Sequence, residues 1–343
     1  MNRRKLFFTR AIKSLASAAK KSGVFSSSAP AGAVNIIAYH RVVADLAKAE
    51  REAFYGIVVS GETLRRHCEL LKANYEIVSL EHAADILKNG ETTQKPLAVL
   101  TFDDGYLDFY EVAFPILREL GLSATNFLPT GLIGSEKFLA HDRIFWLLQL
   151  AEKKGISIFA ALDSAGVKDA ADIAGNYNSE VVCDALVHLP HELREKVIVK
   201  MESLIGQDSI EYPREYELLT WQQINEMQDA GLDFGFHTAN HVVLPLESDA
   251  AFEEEIFAGK RELEKRLRRK VVALAYPNGA YDDRIKSVIA KAGFEIAVTT
   301  ERKINLCGKS DLLALGRFSL CEESTRGIRG VYSPAVAGLR LNI

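Results

Sequence analysis

The sequence predicts an α/β fold, a parallel sheet or barrel wrapped by helices. Two observations carry that reading. Short apolar runs alternate with helical patterns along most of the chain, the rhythm of repeated strand–helix units. One of those runs, Leu97–Phe102, holds almost no polar residue, as expected of a strand buried on both faces. In such folds the chemistry sits where strands end and loops begin, so the residues just after each run matter most.

Val34–Tyr39 is the candidate opening strand. Glu62–Asn74 reads as a helix, Glu76–Val78 as a short strand and Glu81–Lys88 as a helix. After the Leu97–Phe102 strand, Leu107–Leu120 is helical and Ala124–Leu128 is the next strand. Trp221–Ala230 is a helix with Gly231 at its C-terminal end, where a left-handed residue is favoured. Asp233–Phe236, Val271–Tyr276 and Glu295–Thr299 read as strands separated by the helices Ala251–Arg268 and Asp283–Ala292, and Leu312–Leu320 closes the series. Residues from about Phe138 to Glu217 break the rhythm. They lack convincing buried strands and read as helices at Ile144–Glu152, Ser179–His188 and His191–Ile205, an insertion placed to cover or shape a substrate cleft.

The 343 residues are 48% apolar and 26% charged, which fits a globular protein and excludes collagen-like or wholly disordered chains. No run approaches the length of a membrane-spanning helix. The net charge of −4 hides an asymmetry: residues 1–44 carry eight Lys or Arg and no acid, which leaves 34 basic against 46 acidic residues beyond them. An acidic body with no evident basic patch makes nucleic acid a poor partner. The basic head is amphipathic if helical over residues 3–21, with Phe8, Ile12, Leu15 and Ala19 on one face and Arg10, Lys13, Lys20 and Lys21 on the other. It reads as a peripheral tether to anionic lipid at the inner face of the membrane, with a frayed tail or a transit segment as alternatives. The apolar run is too short for a secretory signal, so a cytoplasmic location is expected. Residues 22–33, mostly small, read as a linker. Cys68, Cys183, Cys307 and Cys321 form no paired motif and read as buried free thiols.

Three motifs carry chemistry. Thr101-Phe102-Asp103-Asp104-Gly105-Tyr106 puts two adjacent carboxylates at the end of a buried strand. Such neighbours repel unless a cation or hydrogen-bond network holds them; one could ligate a metal while the other acts as a base, or an Asp could simply cap a helix. His237-Thr238-Ala239-Asn240-His241 follows a strand and spaces two imidazoles as zinc sites often do. One carboxylate with two imidazoles leaves positions on a metal open, as catalysis requires. Ala275-Tyr276-Pro277-Asn278-Gly279 forms a rigid loop at another strand end, where Tyr276 could wall a sugar ring.

Taken in this order, TFDDGY, HTANH and AYPNG resemble the motifs of the polysaccharide deacetylases, carbohydrate esterase family four with its NodB homology domain. The resemblance spans about Val34 to Leu320. It implies a distorted (β/α) barrel of about seven strands, occupying residues 34–343 with the insertion at about 138–217 and the head and linker at 1–33. It implies metal-dependent hydrolysis of N-acetyl groups from an amino-sugar glycan (exopolysaccharide, cell-surface or lipid-linked saccharide), releasing acetate. An O-acetyl esterase or a catalytically silent glycan-binding module are the alternatives on the same scaffold. By resemblance Asp103 is the general base, Asp104, His237 and His241 hold the metal, and the backbone N–H of Tyr106 helps hold the oxyanion. Zinc is the default ion, with Co, Ni, Fe or Mn also suited to the set.

Two departures stand out. The family's acid histidine on a late strand is missing, since no His follows His241. His40, at the end of the first strand, is the candidate replacement, as in a circularly permuted branch of the family. The arginine many members place before the third motif's proline is also missing, and Arg317 on the last strand is the candidate to supply its charge beside Asp103.

Overall fold

The computed structural model describes residues 32–53, 56–91, 93–176, 178–327 and 330–341. The amphipathic stretch 3–21 and nearly all of the linker lie outside the described residues. The first strand, β1 (Ala33–Tyr39), is buried along its whole length and begins with Ala33, a residue that composition alone assigns to the linker. A two-stranded parallel ribbon follows from β2 (Arg41–Val43) and β3 (Val58–Ser60), neither anticipated from the sequence, with the short helix Leu46–Glu52 between them. After the helix Gly61–Asn74 come β4 (Glu76–Ile77), the helix Leu80–Asn89 and the long buried strand β5 (Leu97–Asp103). The rest of the sheet is β6 (Thr125–Leu128), β7 (Asp233–Phe236), β8 (Ala273–Ala275), β9 (Ile296–Val298), β10 (Asn305–Leu306) and β11 (Phe318–Ser319).

Strands β1, β5, β6, β7, β8 and β9 lie side by side in that order, all parallel. Strand β11 lies parallel to β1 on its other side, so these seven parallel strands curl into a half-barrel, with β4 parallel to β5 and β10 antiparallel to β1 completing a nine-stranded sheet among the described residues. The segment leading into β11 also bonds to the far edge: Leu315 N donates to Ala297 O at 2.9 Å and Thr299 N to Leu315 O at 2.8 Å. One stretch of chain thus touches both edges of the sheet. It carries Arg317.

Register fixes the site. Tyr39 pairs with Phe102 and Leu128 with Phe236. The residues that follow these pairs, His40, Asp103 and His237, therefore emerge together at the C-terminal rim. The core is the apolar lining of the sheet and its helices, with Leu100, Phe102, Phe234 and Leu274 all buried.

The predicted helix Leu107–Leu120 is two pieces, a π-helical turn at Phe109–Ala113 running into an α-helix at Phe114–Leu120. Pro115 is the cause, because it lacks the N–H of a regular turn. Among the described residues, five α-helices, Ala140–Lys154, Phe159–Ala165, Ala170–Ala174, Ser179–Val187 and His191–Ile205, stand between β6 and the helix Trp221–Asp229 that leads into β7. They pack on an apolar cluster of their own that includes Ile144, Leu162, Leu186 and Met201. The helix Pro334–Leu341, also unanticipated, reaches the opposite end of the barrel from the site. There the Leu341 carbonyl accepts from Asn35 Nδ2 at 3.1 Å and Tyr75 Oη at 2.9 Å. Cys68 and Cys183 are buried free thiols, whereas Cys307 and Cys321 are free but only partly buried. No helix among the described residues is long and apolar enough to cross a membrane.

Candidate active site and metal centre

The strand β5 delivers Asp103 and Asp104 to opposite sides of one turn. Asp103 is the last residue of the strand, while Asp104 has a φ of 77°, a left-handed conformation unusual outside glycine. The turn swings the second carboxylate toward β7 and leaves the first facing the sheet edges.

Arg317 reaches Asp103 from those edges. Its Nη1 donates to Oδ1 at 2.7 Å and its Nη2 to Oδ2 at 2.6 Å, a bidentate fork between two buried groups. Its Nε donates to the Thr299 carbonyl at 2.9 Å, which fixes the guanidinium plane. Burial opposes ionisation of Asp103, but the Arg317 charge outweighs it, with help from His237 and His40, and holds the carboxyl below its ordinary range. His40 Nε2 stands 3.9 Å from the Asp103 carboxylate, with about a quarter of the side chain exposed to the cleft.

Asp104 faces the histidine pair. Its Oδ1 lies 3.4 Å from His237 Nε2 and 3.2 Å from His241 Nε2, yet this buried oxygen has no aligned hydrogen-bond donor. The His237 Nδ1 lies 2.7 Å from the Ala275 carbonyl. That contact requires the proton on Nδ1, which turns the Nε2 lone pair toward Asp104. All three ligating atoms lie within 4.8 Å of one another. An orphaned carboxylate oxygen, a histidine whose tautomer is set from behind, and an Asp-His-His donor set together fit a divalent metal.

Tyr106 is fully buried. Its hydroxyl donates to Asp142 Oδ2 at 2.7 Å and lies 2.8 Å from His141 Nε2, both at the start of the first insertion helix. The Arg41 guanidinium stacks over its ring at 4.8 Å and is held by Asp108 at 2.9 Å. Burial, despite Arg41, pushes the Asp142 carboxyl up to about 7. The backbone of Tyr106 pairs antiparallel with Leu218 through neighbouring bonds, Leu107 N to Glu217 O at 2.9 Å and Leu219 N to Gly105 O at 2.8 Å. In that pattern the Tyr106 N–H points away from the Leu218 segment.

A cavity of about 330 Å³ joins these groups, lined by His40, both aspartates and both histidines. The insertion contributes His141, Asp184, Val187 and His188 to its wall. Burial pushes the His141 imidazole down to about 3. Tyr276 also lines the cavity, but its ring is stacked on Tyr281 at 4.9 Å and its hydroxyl donates to the Leu313 carbonyl at 3.0 Å, so it is a fixed wall. The cavity gathers His40, Asp103, Asp104, His237, His241 and Tyr276, while Arg317 reaches it through Asp103 and Tyr106 is not among its lining residues. His141 of the insertion, a histidine that the sequence offers beside Asp142 as a residue that could face the cleft, lines the cavity, and the structure adds Arg41 and Asp108, whose partners lie far away in sequence and leave no local signature.

Fold and site together define an α/β half-barrel protein with a buried candidate metal centre at the C-terminal rim of its strands. The chain belongs to the polysaccharide deacetylase family, whose model matches residues 90–297. YxkH of Bacillus subtilis (strain 168), assigned to the polysaccharide deacetylases by name, is 20% identical over 255 residues, covering 72% of this chain and 63% of that protein. The poly-beta-1,6-N-acetyl-D-glucosamine N-deacetylase of Staphylococcus aureus (strain MSSA476) is 29% identical over 153 residues, 44% of this chain and 50% of that one. The match therefore spans less than two thirds of the length of either relative. Among solved structures, the Streptococcus pyogenes deacetylase PplD in complex with acetate has a TM-score of 0.56 at 23% identity, over 85% of this chain and 94% of that one. IcaB from Ammonifex degensii has a TM-score of 0.56 at 18% identity, over 90% and 97%. Both share the fold.

Proposed function

We propose that the chain removes N-acetyl groups from an amino-sugar glycan by hydrolysis, releasing acetate. The observation that carries this reading is the pairing, in one cavity, of an arginine-forked carboxylate with a buried Asp-His-His triad. A divalent ion on Asp104, His237 and His241, zinc by the donor set and Co, Ni, Fe or Mn as alternatives, would supply Lewis acidity and lower the pKa of water. Asp103, kept ionised by Arg317, takes the proton from the attacking water as oxygen adds to the acetamide carbon. The Tyr106 N–H donates to the oxyanion. His40, beside Asp103, gives a proton to the departing nitrogen as the carbon–nitrogen bond breaks. The products are a free amine on the sugar and acetate.

A named N-acetylglucosamine deacetylase among the relatives supports an N-acetylated hexosamine as the substrate class. The same groups would hydrolyse an O-acetyl ester, and an intact triad with its base argues against a silent binding module. Residues 34–343 are read as one barrel, with 138–217 an insertion supported by its separate apolar core. The test is acetate release from N-acetylglucosamine oligomers and from O-acetylated oligosaccharides, for the wild type and His40→Ala. N-acetyl groups should be the better substrate, and the variant should lose about 10²–10⁴-fold in rate with its metal content unchanged. Near-normal turnover by His40→Ala removes that residue from the mechanism. Release only from the O-acetyl substrate makes the chain an esterase, and glycan binding without any release makes it a binding module.

A further inference from the structure

The loop that carries the histidine pair is held from behind by a carboxylate that the reaction does not use. Thr238 and His241 both adopt left-handed conformations, with φ of 62° and 52°. Neither is glycine, so the loop needs outside support to keep this shape. A loop of this kind turns successive N–H groups toward one point and forms a nest for an anion.

Here the anion belongs to the protein. Glu255, on the helix Asp249–Leu267, accepts at Oε2 from Ala239 N at 3.0 Å and Asn240 N at 2.9 Å, and at Oε1 from the Asn240 side-chain amide. The carbonyls of the same loop are engaged from the other side, Thr238 O by Thr130 N at 3.2 Å and Ala239 O by Gly131 N at 2.8 Å. The helix comes this close because Gly259, one turn after Glu255, has no side chain. A Cβ there would stand 2.7 Å from the Phe236 ring and 3.1 Å from Ala239 Cβ.

We propose that Glu255 is a positioning residue for the metal centre: its carboxylate fixes the His237–His241 loop so that both Nε2 atoms face Asp104, and it thereby sets metal affinity. This rests on the reading of Asp104, His237 and His241 as metal ligands. The hydrogen bonds of Glu255 go to Ala239 and Asn240 of the loop, so its effect reaches the ion through the backbone that orients the two imidazoles.

The experiment measures zinc affinity of the metal-stripped protein by competition with a chromophoric chelator, with the melting temperature of the stripped protein in parallel. Glu255→Gln keeps the size and loses the charge; Glu255→Ala loses both. Glu254→Gln, on the exposed side of the same helix, is the control. Both Glu255 variants should bind zinc about 10–100-fold more weakly, Ala the worse of the two, as loss of a group orienting metal ligands does. The stripped Glu255→Gln protein should melt close to wild type, and the control should match wild type in both measurements. If Glu255→Ala does not fold, the Gln variant carries the comparison. Wild-type zinc affinity in Glu255→Gln overturns the assignment, and so does a loss that merely follows a lowered melting temperature of the stripped protein. A wild-type chain that binds no divalent ion overturns the reading of the triad itself.

Discussion

Asp103 and Asp104 are adjacent in sequence and serve different partners, because the backbone reverses hand between them. The left-handed turn at Asp104 costs about 1–3 kcal/mol in a non-glycine residue, and it sends one carboxylate to Arg317 and the other to the histidines. Arg317→Met would leave the Asp103 carboxylate buried without its counter-charge. It should destabilise the protein by about 3–5 kcal/mol and lower kcat about 10²–10⁴-fold with metal content retained. Arg317→Lys should keep the fold and fall between the two, because an ammonium does not reproduce the fork. Steady-state kinetics and metal analysis check this, and wild-type kcat in the Met variant would remove Arg317 from the base's environment. Much at this scale was legible in the sequence. The Asp pair and the His pair are written as local motifs, because ligands on one turn must be close in sequence. Arg317 was reachable only by asking what replaces an arginine missing before Pro277. Glu255 left no signal, since it lies in an ordinary charged helix and its partners are mainly backbone N–H groups that every sequence possesses.

Among elements, parallel register does the assembly. Strands β1 and β5 run level to Tyr39 and Phe102, and this alone brings His40 beside Asp103. Strand positions were readable from apolar runs. The β2–β3 ribbon was not, because its strands are too short to show a period. Hydrogen bonds through His67 tie further elements together. Its Nδ1 lies 3.1 Å from Tyr39 Oη on β1, and its Nε2 lies 3.1 Å from Thr325 Oγ1 near the C-terminus. Burial pushes this imidazole down to about 4. An unfolded chain takes up a proton near pH 6.5 that the folded chain refuses. The stability His67 contributes is thus full above about pH 6.5 and is lost as pH falls to about 4, a change of about 3 kcal/mol. Urea unfolding across that window should show a steeper acid loss for wild type than for His67→Gln. Parallel curves would contradict it.

At the scale of the whole molecule, two apolar cores meet at one cavity. The sheet core supports the strand ends that carry the site, and the separate helical core of residues between β6 and β7 supports the wall opposite them. The α/β class and the order of its elements were legible because strand–helix alternation is a long-range pattern. The two small insertion helices and the C-terminal helix were not, being short and weakly periodic. The insertion meets the site through His141 and Asp142 on the Tyr106 hydroxyl, side-chain contacts across more than thirty residues of sequence. The proposed metal-supported hydrolysis at this centre is the central claim, and reconstitution tests it most directly. Protein stripped of metal should release no acetate from N-acetylglucosamine oligomers. Added zinc should restore release in proportion until the triads are filled, and should fail to do so in Asp104→Ala or His237→Ala. Acetate release by the stripped protein at the reconstituted rate would contradict the account.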